Sequence, residues 1–359
     1  MKKCISLIVM LALVVTMLAG CGAAPVAPAA TPAEVAPAPE EAEVDIASIA
    51  DPVERLKAMI AAAGWPAKPI ELVCCNGVGG GSDQMSRAVA NSVNALDVGI
   101  TINVNNRTGS SGMIGASYVG SRPEDEYLLL TQNGAEFGNW LSFPDFGVSK
   151  DKFKPVSIVA IDTACLVVRA DSEFMTMADL VDYAKENPGK VIFGGSNSNL
   201  SLDAIMYNRM VKQAEIVTEF VPYEGGGDVN TALLGGHITA AWQNPSEIAA
   251  FVDSGDFRVL AMGSETRHDD YPDVPTAIEQ GYSELYFSLY RGVLAPGSLP
   301  DEYIAILALA IEIGSQSEAF QNEYIKANTL TYVYCGPEEM AGEMDYYENL
   351  FKDIIAENK

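Results

Sequence analysis

Basic side chains are scarce in this chain of 359 residues. The sequence has 22 Lys and Arg residues against 48 Asp and Glu residues, two His residues, and a net charge of −26 at pH 7. A surface with this charge repels phosphate backbones and anionic lipid headgroups, which excludes nucleic acid as a partner. It also repels anionic solutes at long range, so any anion site must depend on local hydrogen-bond donors.

The motifs of common enzyme and metal sites are also absent. No Gly-x-Ser-x-Gly or His-Glu-x-x-His sequence accompanies His237 or His268, and the six cysteines show no Cys-x-x-Cys spacing. The glycine-rich segment 77–83 lacks a Gly-Lys-Ser/Thr ending, and Ser82 stands where a dinucleotide fingerprint has its third glycine. We therefore predict no catalytic residue, no metal and no cofactor.

Long apolar runs are missing after the N terminus, where one follows Lys2 and Lys3. This run, Cys4–Leu18, is shorter than the roughly 20 residues of a membrane-spanning helix. It leads into Leu18-Ala19-Gly20-Cys21, a pattern typical of a bacterial lipoprotein signal peptide. We predict that residues 1–20 are removed, that Cys21 carries acyl chains such as palmitate, and that these anchor the protein extracytoplasmically on the cell membrane.

Residues 21–44 are expected to be the lipidated cysteine and a disordered linker, because Ala, Pro and Glu dominate the segment. Beyond it, short apolar runs alternate with helical patterns, which favours an α/β fold with parallel sheets covered by helices. The apolar runs Ser157–Arg169 and Leu285–Ala295 are suited to cross between two sheets. We predict lobe 1 at 45–162 and 286–359, and lobe 2 at 163–285.

The alternating pattern also gives individual elements. Strands are predicted at Ile70–Cys75, Ile100–Val104, Tyr127–Thr131, Val191–Phe193, Ile216–Val221, Ile238–Trp242 and Phe257–Met262. Helices are predicted at Ser82–Ala95, Gly112–Gly120, Met177–Glu186, Leu200–Gln213, Val229–Leu234, Pro245–Asp253, Pro300–Gly314, Ser317–Ala327 and Pro337–Glu357. Cys74 and Cys75 fall on opposite faces of the first strand and are interpreted as buried thiols, with a strained disulfide as the alternative.

Four loops rich in small polar residues follow predicted strands and precede predicted helices. They are Gly77–Asp83, Asn106–Gly112, Gly194–Ser201 and Gly225–Asp228. Main-chain amides at a helix N terminus bind anions without a basic side chain, and Ser82 is placed to cap the first of these helices. Ligands of open α/β sheets bind at the carboxyl ends of the strands, so the loops are predicted to form one ligand site.

The predicted ligand-binding residues come from these loops and from three other positions. The loops supply Gly79, Gly80, Gly81, Ser82, Asp83, Gly109, Ser110, Ser111, Gly112, Ser196, Asn197, Ser198, Asn199 and Ser201. Gln243 and Asn244, at a strand end, offer amide donors. Arg291, on the second crossover run, has the charge to pair with a ligand carboxylate; its alternative role is an ion pair near the hinge.

Several short motifs occur together from residue 64 to the C terminus. They are Pro69–Val73 before Gly79–Asp83, Asn106–Gly109 with Gly112–Ala116, Val221–Gly226, Leu233–Gly236, Asp273–Thr276 and Gly292–Pro296. In this order they resemble the solute receptors of tripartite tricarboxylate transporters, also called Bug receptors. The resemblance implies a type II periplasmic-binding fold, in which two lobes joined by two crossover strands close on a small carboxylated solute. It also implies membrane permease subunits as partners and no enzymatic activity.

Two positions depart from the pattern of that family. Asp203 stands where the family often has histidine, and Glu224 stands where lysine is common. Both changes remove positive character, so the predicted ligand class widens from simple dicarboxylates and tricarboxylates to amino acids and other polar solutes. Two other functions are left open: a sensor read by a signalling partner, and a lipoprotein hydrolase that uses Ser82 or Ser201.

Overall fold

Strands and helices alternate along most of the chain in a computed structural model, which describes residues 45–196, 200–223 and 225–357. The predicted signal peptide, Cys21 and the linker lie outside the described residues, as do Asn197, Ser198, Asn199 and Glu224. The strands are β1 Ile70–Cys74, β2 Ile102–Asn106, β3 Leu128–Asn133, β4 Phe153–Arg169, β5 Ile192–Ser196, β6 Glu219–Tyr223, β7 Ala240–Gln243, β8 Phe257–Gly263, β9 Ser288–Pro296 and β10 Thr331–Cys335.

Eleven helices occur in the described ranges. They are α1 Pro52–Ala63, α2 Gly81–Asn94, α3 Met113–Gly120, α4 Glu136–Ser142, α5 Met177–Glu186, α6 Leu202–Ala214, α7 Gly226–Leu234, α8 Pro245–Asp253, α9 Asp301–Ser315, α10 Glu318–Phe320 and α11 Pro337–Glu357. Short 3-10 turns occupy Ile46–Ser48, Pro144–Phe146, Lys150–Lys152 and Lys326–Asn328, and a π-turn occupies Gln321–Ile325.

The strands form one continuous curled sheet with the order β2-β1-β3-β9-β4-β7-β5-β6, and β8 and β10 also pair with β4. Two parallel triplets, β2-β1-β3 and β6-β5-β7, lie at its ends. The sheet is mixed rather than wholly parallel, because β4 runs antiparallel to β7, β8, β9 and β10. The sheet therefore contains two similar α/β halves joined through β4 and β9.

The 17-residue strand β4 passes from one half of the sheet to the other. Its first part, from Phe153 to Thr163, pairs with β9, and its second part, from Ala164 to Arg169, pairs with β8. This arrangement explains the long apolar run in the sequence, since β4 is buried over most of its length. Of the two apolar runs predicted to cross between two sheets, Ser157–Arg169 lies in β4, which passes between the halves of this single sheet. The second run contains most of β9, which pairs with β3 and with the first part of β4.

Several element boundaries differ from the sequence prediction for local reasons. β2 begins two residues later than predicted, because the side-chain amide of Asn94 bonds both the N–H and the C=O of Ile102. The N-cap of α2 is Gly80 and not Ser82, which lies buried inside the first turn. The predicted helix Ser317–Ala327 is helical from Glu318 to Asn328 and changes along its length from α through π to 3-10 geometry. The elements α1, α4 and β10 were not predicted.

The two faces of β1 contribute to two different hydrophobic clusters. Ile70 and Leu72 pack with α2 and α9, whereas Val73 and Cys75 pack with α3 and α4. All four cysteines within the described ranges are free; Cys74, Cys75 and Cys165 are buried, and burial raises the pKa of the Cys75 thiol well above its usual range. The buried-thiol interpretation of Cys74 and Cys75 therefore fits this arrangement.

Within the described residues, no single helix is long and apolar enough to cross a bilayer. Helix α9 and the helical segment 318–328 are together long and apolar enough to cross a bilayer, but the two are bent by 68° relative to each other. The residues of α9 are mostly buried in the hydrophobic cluster of α2 and β1.

Candidate functional site

A cavity of about 300 Å³ lies at the carboxyl ends of both parallel triplets. Every strand-to-helix connection of the two triplets contributes at least one residue to its wall. The contributors are Asn76 after β1, Ser111 after β2, Asn133 at the end of β3 with Ala135, Glu136 and Asn139 after it, Ser201, Leu202 and Asp203 after β5, Gly226 after β6, and Trp242 and Gln243 at the end of β7 with Asn244 and Glu247 after it, together with Leu289 of β9. The cavity is therefore assembled from both halves of the sheet.

Three helix N termini from the second half of the sheet reach this cavity. Ser201 caps α6 by accepting the N–H of Ala204 at 3.4 Å, and Asn244 precedes Pro245 at the start of α8. Gly226 opens α7, and a Cβ atom there would lie 2.2 Å from Oε2 of Glu247, so the carboxylate of Glu247 lies directly against the N terminus of α7. First-turn amides of these helices favour negatively charged groups.

Three carboxyl side chains lie in the cavity wall, one each in the first turn of α4, α6 and α8. Glu136 is 6% exposed; Nδ2 of Asn133 donates to its Oε1 at 3.3 Å, and its Oε2 has no partner among the described residues. Asp203 is also buried, whereas Glu247 is open to solvent. No lysine, arginine or histidine lines the cavity within residues 45–196, 200–223 and 225–357.

Burial governs the ionisation of two of these groups. Desolvation raises the pKa of Glu136 to about 8, and the opposing attraction of Arg291 and the N–H of Asn133 do not offset it. Desolvation by the surrounding protein, followed by repulsion from Asp162 and Asp203, raises the pKa of Glu247 to about 7 although the residue as a whole is exposed. The cavity thus contains carboxyl groups that resist ionisation, because the attraction of Arg291 does not offset their desolvation.

Arg291 lies beside the cavity and is engaged within the protein. Its Nη2 donates to Oδ2 of Asp162 at 2.5 Å, and both side chains are largely buried. A Cβ atom at Gly81 would lie 2.9 Å from the same Nη2, so the guanidinium packs directly under the start of α2. This geometry corresponds to the ion pair near the hinge that was the alternative role of Arg291.

The glycine-rich turn after β1 is stabilised by its own acidic residue. Asp83 is buried and accepts the N–H of Gly79 at 2.8 Å, while Arg87 and Asn106 donate to the same carboxylate. These bonds keep the pKa of Asp83 below its usual range, although desolvation opposes them. The N–H of Gly80 donates to the Gly77 carbonyl at 3.2 Å, so two of the amides predicted to bind a ligand already have internal partners.

The loop after β2 has an unusual backbone. Gly109, Ser110, Ser111 and Gly112 all have positive φ, with values of 48° for Ser110 and 53° for Ser111. Left-handed conformations are uncommon for serine and are often found at functional sites. Nδ2 of Asn139 donates to the Ser111 carbonyl at 3.1 Å and holds the loop against the cavity.

The structure thus brings some of the predicted ligand-binding residues together. Ser111, Ser201, Gln243 and Asn244 line the cavity. The remaining predicted residues lie next to the cavity and not in its wall: Gly79, Gly80, Gly109, Ser110 and Gly112 in loops, Gly81, Ser82 and Asp83 in the first turn of α2, and Arg291 in β9. The side chain of Ser196, together with Asn197, Ser198 and Asn199, lies outside the described residues.

Sequence reasoning missed most of the acidic and amide wall. Asn76, Asn133, Glu136, Asn139 and Glu247 were not predicted as site residues, although each ends or follows a strand of a parallel triplet. The available signal was the rule that polar residues after parallel strands meet at one edge. That rule was applied to four loops and, at the end of β7, to Gln243 and Asn244, but it was not extended to the connection after β3 or to Glu247 in the first turn of α8.

A larger cavity of about 410 Å³ lies on the opposite face of β9, between β4, β10 and α11. Ser288 and Tyr290 line it, whereas Leu289 lines the smaller cavity, as expected for alternating side chains of a strand. Its wall is rich in aromatic residues, including Tyr286, Phe287, Tyr346 and Tyr347.

Within the described residues, no group of His, Cys, Asp and Glu side chains is arranged to hold a metal ion.

Comparisons with known proteins agree with this arrangement. The sequence model described as "Tripartite tricarboxylate transporter family receptor" matches residues 85–344. Protein BugT of Bordetella pertussis is 29% identical over 302 residues, covering 80% of this chain and 88% of that protein. The crystal structure of a solute-binding protein from Polaromonas has a TM-score of 0.69 and 25% identity, covering 82% of this chain and 99% of that chain. A structure of an R. palustris protein with adipate has a TM-score of 0.68 and 22% identity, covering 81% and 97%.

Proposed function

Because the chain belongs to the tripartite tricarboxylate transporter receptor family, we propose that it captures a small carboxylated solute between two lobes and delivers it to a membrane permease. The family consists of solute-binding receptors, so the protein is an extracytoplasmic receptor and not an enzyme. The geometry agrees, because Ser82 is buried in α2 and because Ser201, which lines the cavity, has no histidine or lysine in the described wall to act as its base. The hydrolase alternative is therefore set aside.

The observation that carries the proposal is the convergence of six strand-to-helix connections on one cavity. A cavity walled by both halves of a sheet that is joined through β4 and β9 changes shape when the halves move. We assign the lobes to residues 45–162 with 286–359, and to residues 163–285. Closure of these lobes then buries the solute.

Neutral donors are sufficient for micromolar binding of a carboxylate. Four to six hydrogen bonds to a charged group contribute roughly 6–18 kcal/mol, at about 1.5–3 kcal/mol each. Association costs about 4–15 kcal/mol. The range left when the cost of association is subtracted from the hydrogen-bond contribution includes the roughly 8 kcal/mol binding free energy of a micromolar complex. Adipate in the R. palustris structure supports a carboxylate as the ligand class.

The anchor and the partners complete the proposal. Cys21 carries two or more acyl chains, which stable anchoring requires, and residues 22–44 tether the receptor to the membrane. The permease subunits are the partners that the family description supports. Metabolic labelling with palmitate checks the anchor: the wild-type protein should take up label, and a Cys21→Ser variant should not.

A binding screen tests the receptor function itself. The unlipidated Cys21→Ser protein is tested by thermal shift and calorimetry against dicarboxylates, tricarboxylates and amino acids. At least one carboxylated compound should raise the melting temperature and bind stoichiometrically without being consumed. Turnover of that compound, or failure of every carboxylate to bind, would overturn the proposal.

A further inference from the structure

The larger cavity, of about 410 Å³, has no part in the proposed capture of a solute. It lies on the opposite face of β9 from the 300 Å³ cavity, and its wall comes from β4, β9, β10, α11 and the segment 264–268 after β8. Its volume falls within the roughly 300–1,000 Å³ of small-molecule sites. A compound that binds here is separated by β9 from one that binds in the smaller cavity.

Aromatic rings form much of the wall of the larger cavity. Phe287, Tyr290 and Tyr347 are buried in it, whereas Tyr346 is 43% exposed. The Tyr347 ring is the centre of this aromatic cluster, with centroids 5.1 Å from Tyr290 and 5.3 Å from Tyr346 and interplanar angles of 82° and 86°. Its hydroxyl donates to the Ser288 carbonyl, which fixes the ring. The face of an aromatic ring carries negative potential and attracts cations.

Two carboxyl groups line the same cavity. Glu265 follows β8 and Glu343 belongs to α11, so the two come from different parts of the chain. Desolvation, followed by repulsion from Glu265, raises the pKa of Glu343 above its ordinary value, which shows that the two groups are near enough to interact. A bound cation relieves this repulsion, whereas a neutral or anionic occupant does not.

The basic residues in the described lining do not offset these carboxylates. Nε of Arg267 donates to both carboxylate oxygens of Glu279, at 3.1 and 3.0 Å, so its charge is already matched by a residue outside the lining. Nδ1 of His268 accepts the N–H of Asp270 at 3.2 Å, as in the neutral ring. The described wall of the cavity therefore has a net negative charge.

One further cation lies against the aromatic cluster from outside the described lining. Arg209 of α6 donates from Nη1 to the Tyr286 carbonyl at 2.5 Å, and its guanidinium carbon lies 5.7 Å from the centroid of the Phe287 ring. Its charge opposes a second cation, but the two glutamates of the wall outnumber it. The net charge of the chain, −26, also attracts cations at long range.

We propose that the 410 Å³ cavity is a second binding site and that its ligand is a small organic ammonium ion. The rings of Tyr290, Tyr346 and Tyr347 contact the ammonium group, and Glu265 and Glu343 balance its charge. An ammonium ion with apolar substituents is favoured over a hydrated inorganic cation, because its substituents are also buried against the rings. This site is independent of the solute-binding function proposed for the smaller cavity.

The test compares a cation with a neutral compound of the same shape. The Cys21→Ser protein is titrated calorimetrically with choline, with tetramethylammonium and with 3,3-dimethylbutan-1-ol, in which carbon replaces the nitrogen of choline. Choline should bind with one-to-one stoichiometry and roughly tenfold more tightly than the neutral alcohol. Glu343→Gln should remove most of this difference by weakening choline and leaving the alcohol unchanged, and Tyr346→Leu should weaken choline by a similar factor.

A matched control is available on the same helix. Glu338→Gln removes the same charge from α11 outside the described lining and should leave the affinity for choline unchanged. Thermal unfolding of each variant verifies that it folds. The site is refuted if neither cation binds, or if choline binds no more tightly than the alcohol. It is also refuted if Glu247→Gln weakens choline and Glu343→Gln does not, because the cation then occupies the smaller cavity. Neither result changes the outcome of the carboxylate screen that tests the receptor function.

Discussion

Glu136 is placed where its charged form is disfavoured by the fold. Burial raises the pKa of this side chain from an ordinary value of 4.5 to about 8. Arg291 of β9 attracts its charge, while the carboxyls of Asp203 and Glu247 share its cavity. The folded chain therefore retains a proton on Glu136 across a pH range in which the unfolded chain has released it.

This difference predicts how stability depends on pH. Below about pH 4.5 both states are protonated at Glu136, and above about pH 8 both are ionised. Between these values the folded state binds more protons, so the contribution of Glu136 lowers the free energy of unfolding as the pH rises. At about 1.4 kcal/mol per pKa unit, the whole effect is roughly 3–5 kcal/mol.

The Glu136→Gln variant isolates this contribution, because glutamine keeps the shape and does not titrate. Urea unfolding should show wild type and variant of similar stability near pH 4.5, and the variant more stable at pH 8.5. Groups with lowered pKa, such as Asp83 and Asp179, affect both proteins equally and cancel in the difference. A stability difference that is independent of pH would contradict the assignment.

At the scale of elements, the turn between β1 and α2 depends on a close approach. A Cβ atom at Gly81 would lie 2.9 Å from Nη2 and 3.2 Å from Cζ of Arg291. The guanidinium is not free to move away, since it is buried and paired with Asp162. Gly81→Ala should therefore destabilise the protein by about 1–3 kcal/mol, as overpacking commonly does, measured by urea unfolding.

Gly77, in the same turn, provides the matched control. A Cβ atom there meets nothing within 4 Å, and its φ lies outside the left-handed region. Gly77→Ala should change the free energy of unfolding by less than about 0.5 kcal/mol, as for surface substitutions in general. Equal losses in the two variants would show that the turn requires glycine for flexibility and not for the contact with Arg291.

The elements were predictable where a local signal determines them. The predicted bounds of α5 and α8 agree with the structure at both ends, because a capping box starts α5 and an N-terminal proline starts α8. α4 and β10 carry no comparable signal: α4 has seven residues and no side-chain cap, and β10 is defined by its pairing with β4. Tertiary contacts determine such elements, and periodicity cannot reveal them.

The candidate site was predictable in position and less so in chemistry. Loops after parallel strands were expected to meet, and the structure brings residues of three of the four loops into one wall, Ser111, Ser201 and Gly226. The loop Gly77–Asp83 contributes none, and only the preceding Asn76 lines the cavity. The acidic wall was not foreseen, because Glu136, Asp203 and Glu247 are far apart in the sequence and meet only through the sheet order. Likewise, the pairing of Arg291 with Asp162 depends on the alignment of β9 with β4.

At the scale of the whole molecule, β4 and β9 connect the two halves of the sheet. Arg291 of β9 and Asp162 of β4 form a buried ion pair just before β4 leaves β9 and joins β8. The side chains are 13% and 1% exposed. Removing one partner of such a pair leaves an uncompensated buried charge, which costs far more than the pair itself contributes.

Asp162→Asn should therefore destabilise the whole domain by about 3–5 kcal/mol in urea unfolding, and the transition should remain single because both halves share β4. Asp301→Asn is the control, because Asp301 is 93% exposed and pairs with Lys154 at the surface. Loss of this surface ion pair should cost about 0–1 kcal/mol. A double variant, Asp162→Asn with Arg291→Met, should recover part of the loss by removing the unpaired guanidinium. If Asp162→Asn were no worse than Asp301→Asn, the ion pair would not support the junction between the halves, and Arg291 would again be a candidate for binding the solute.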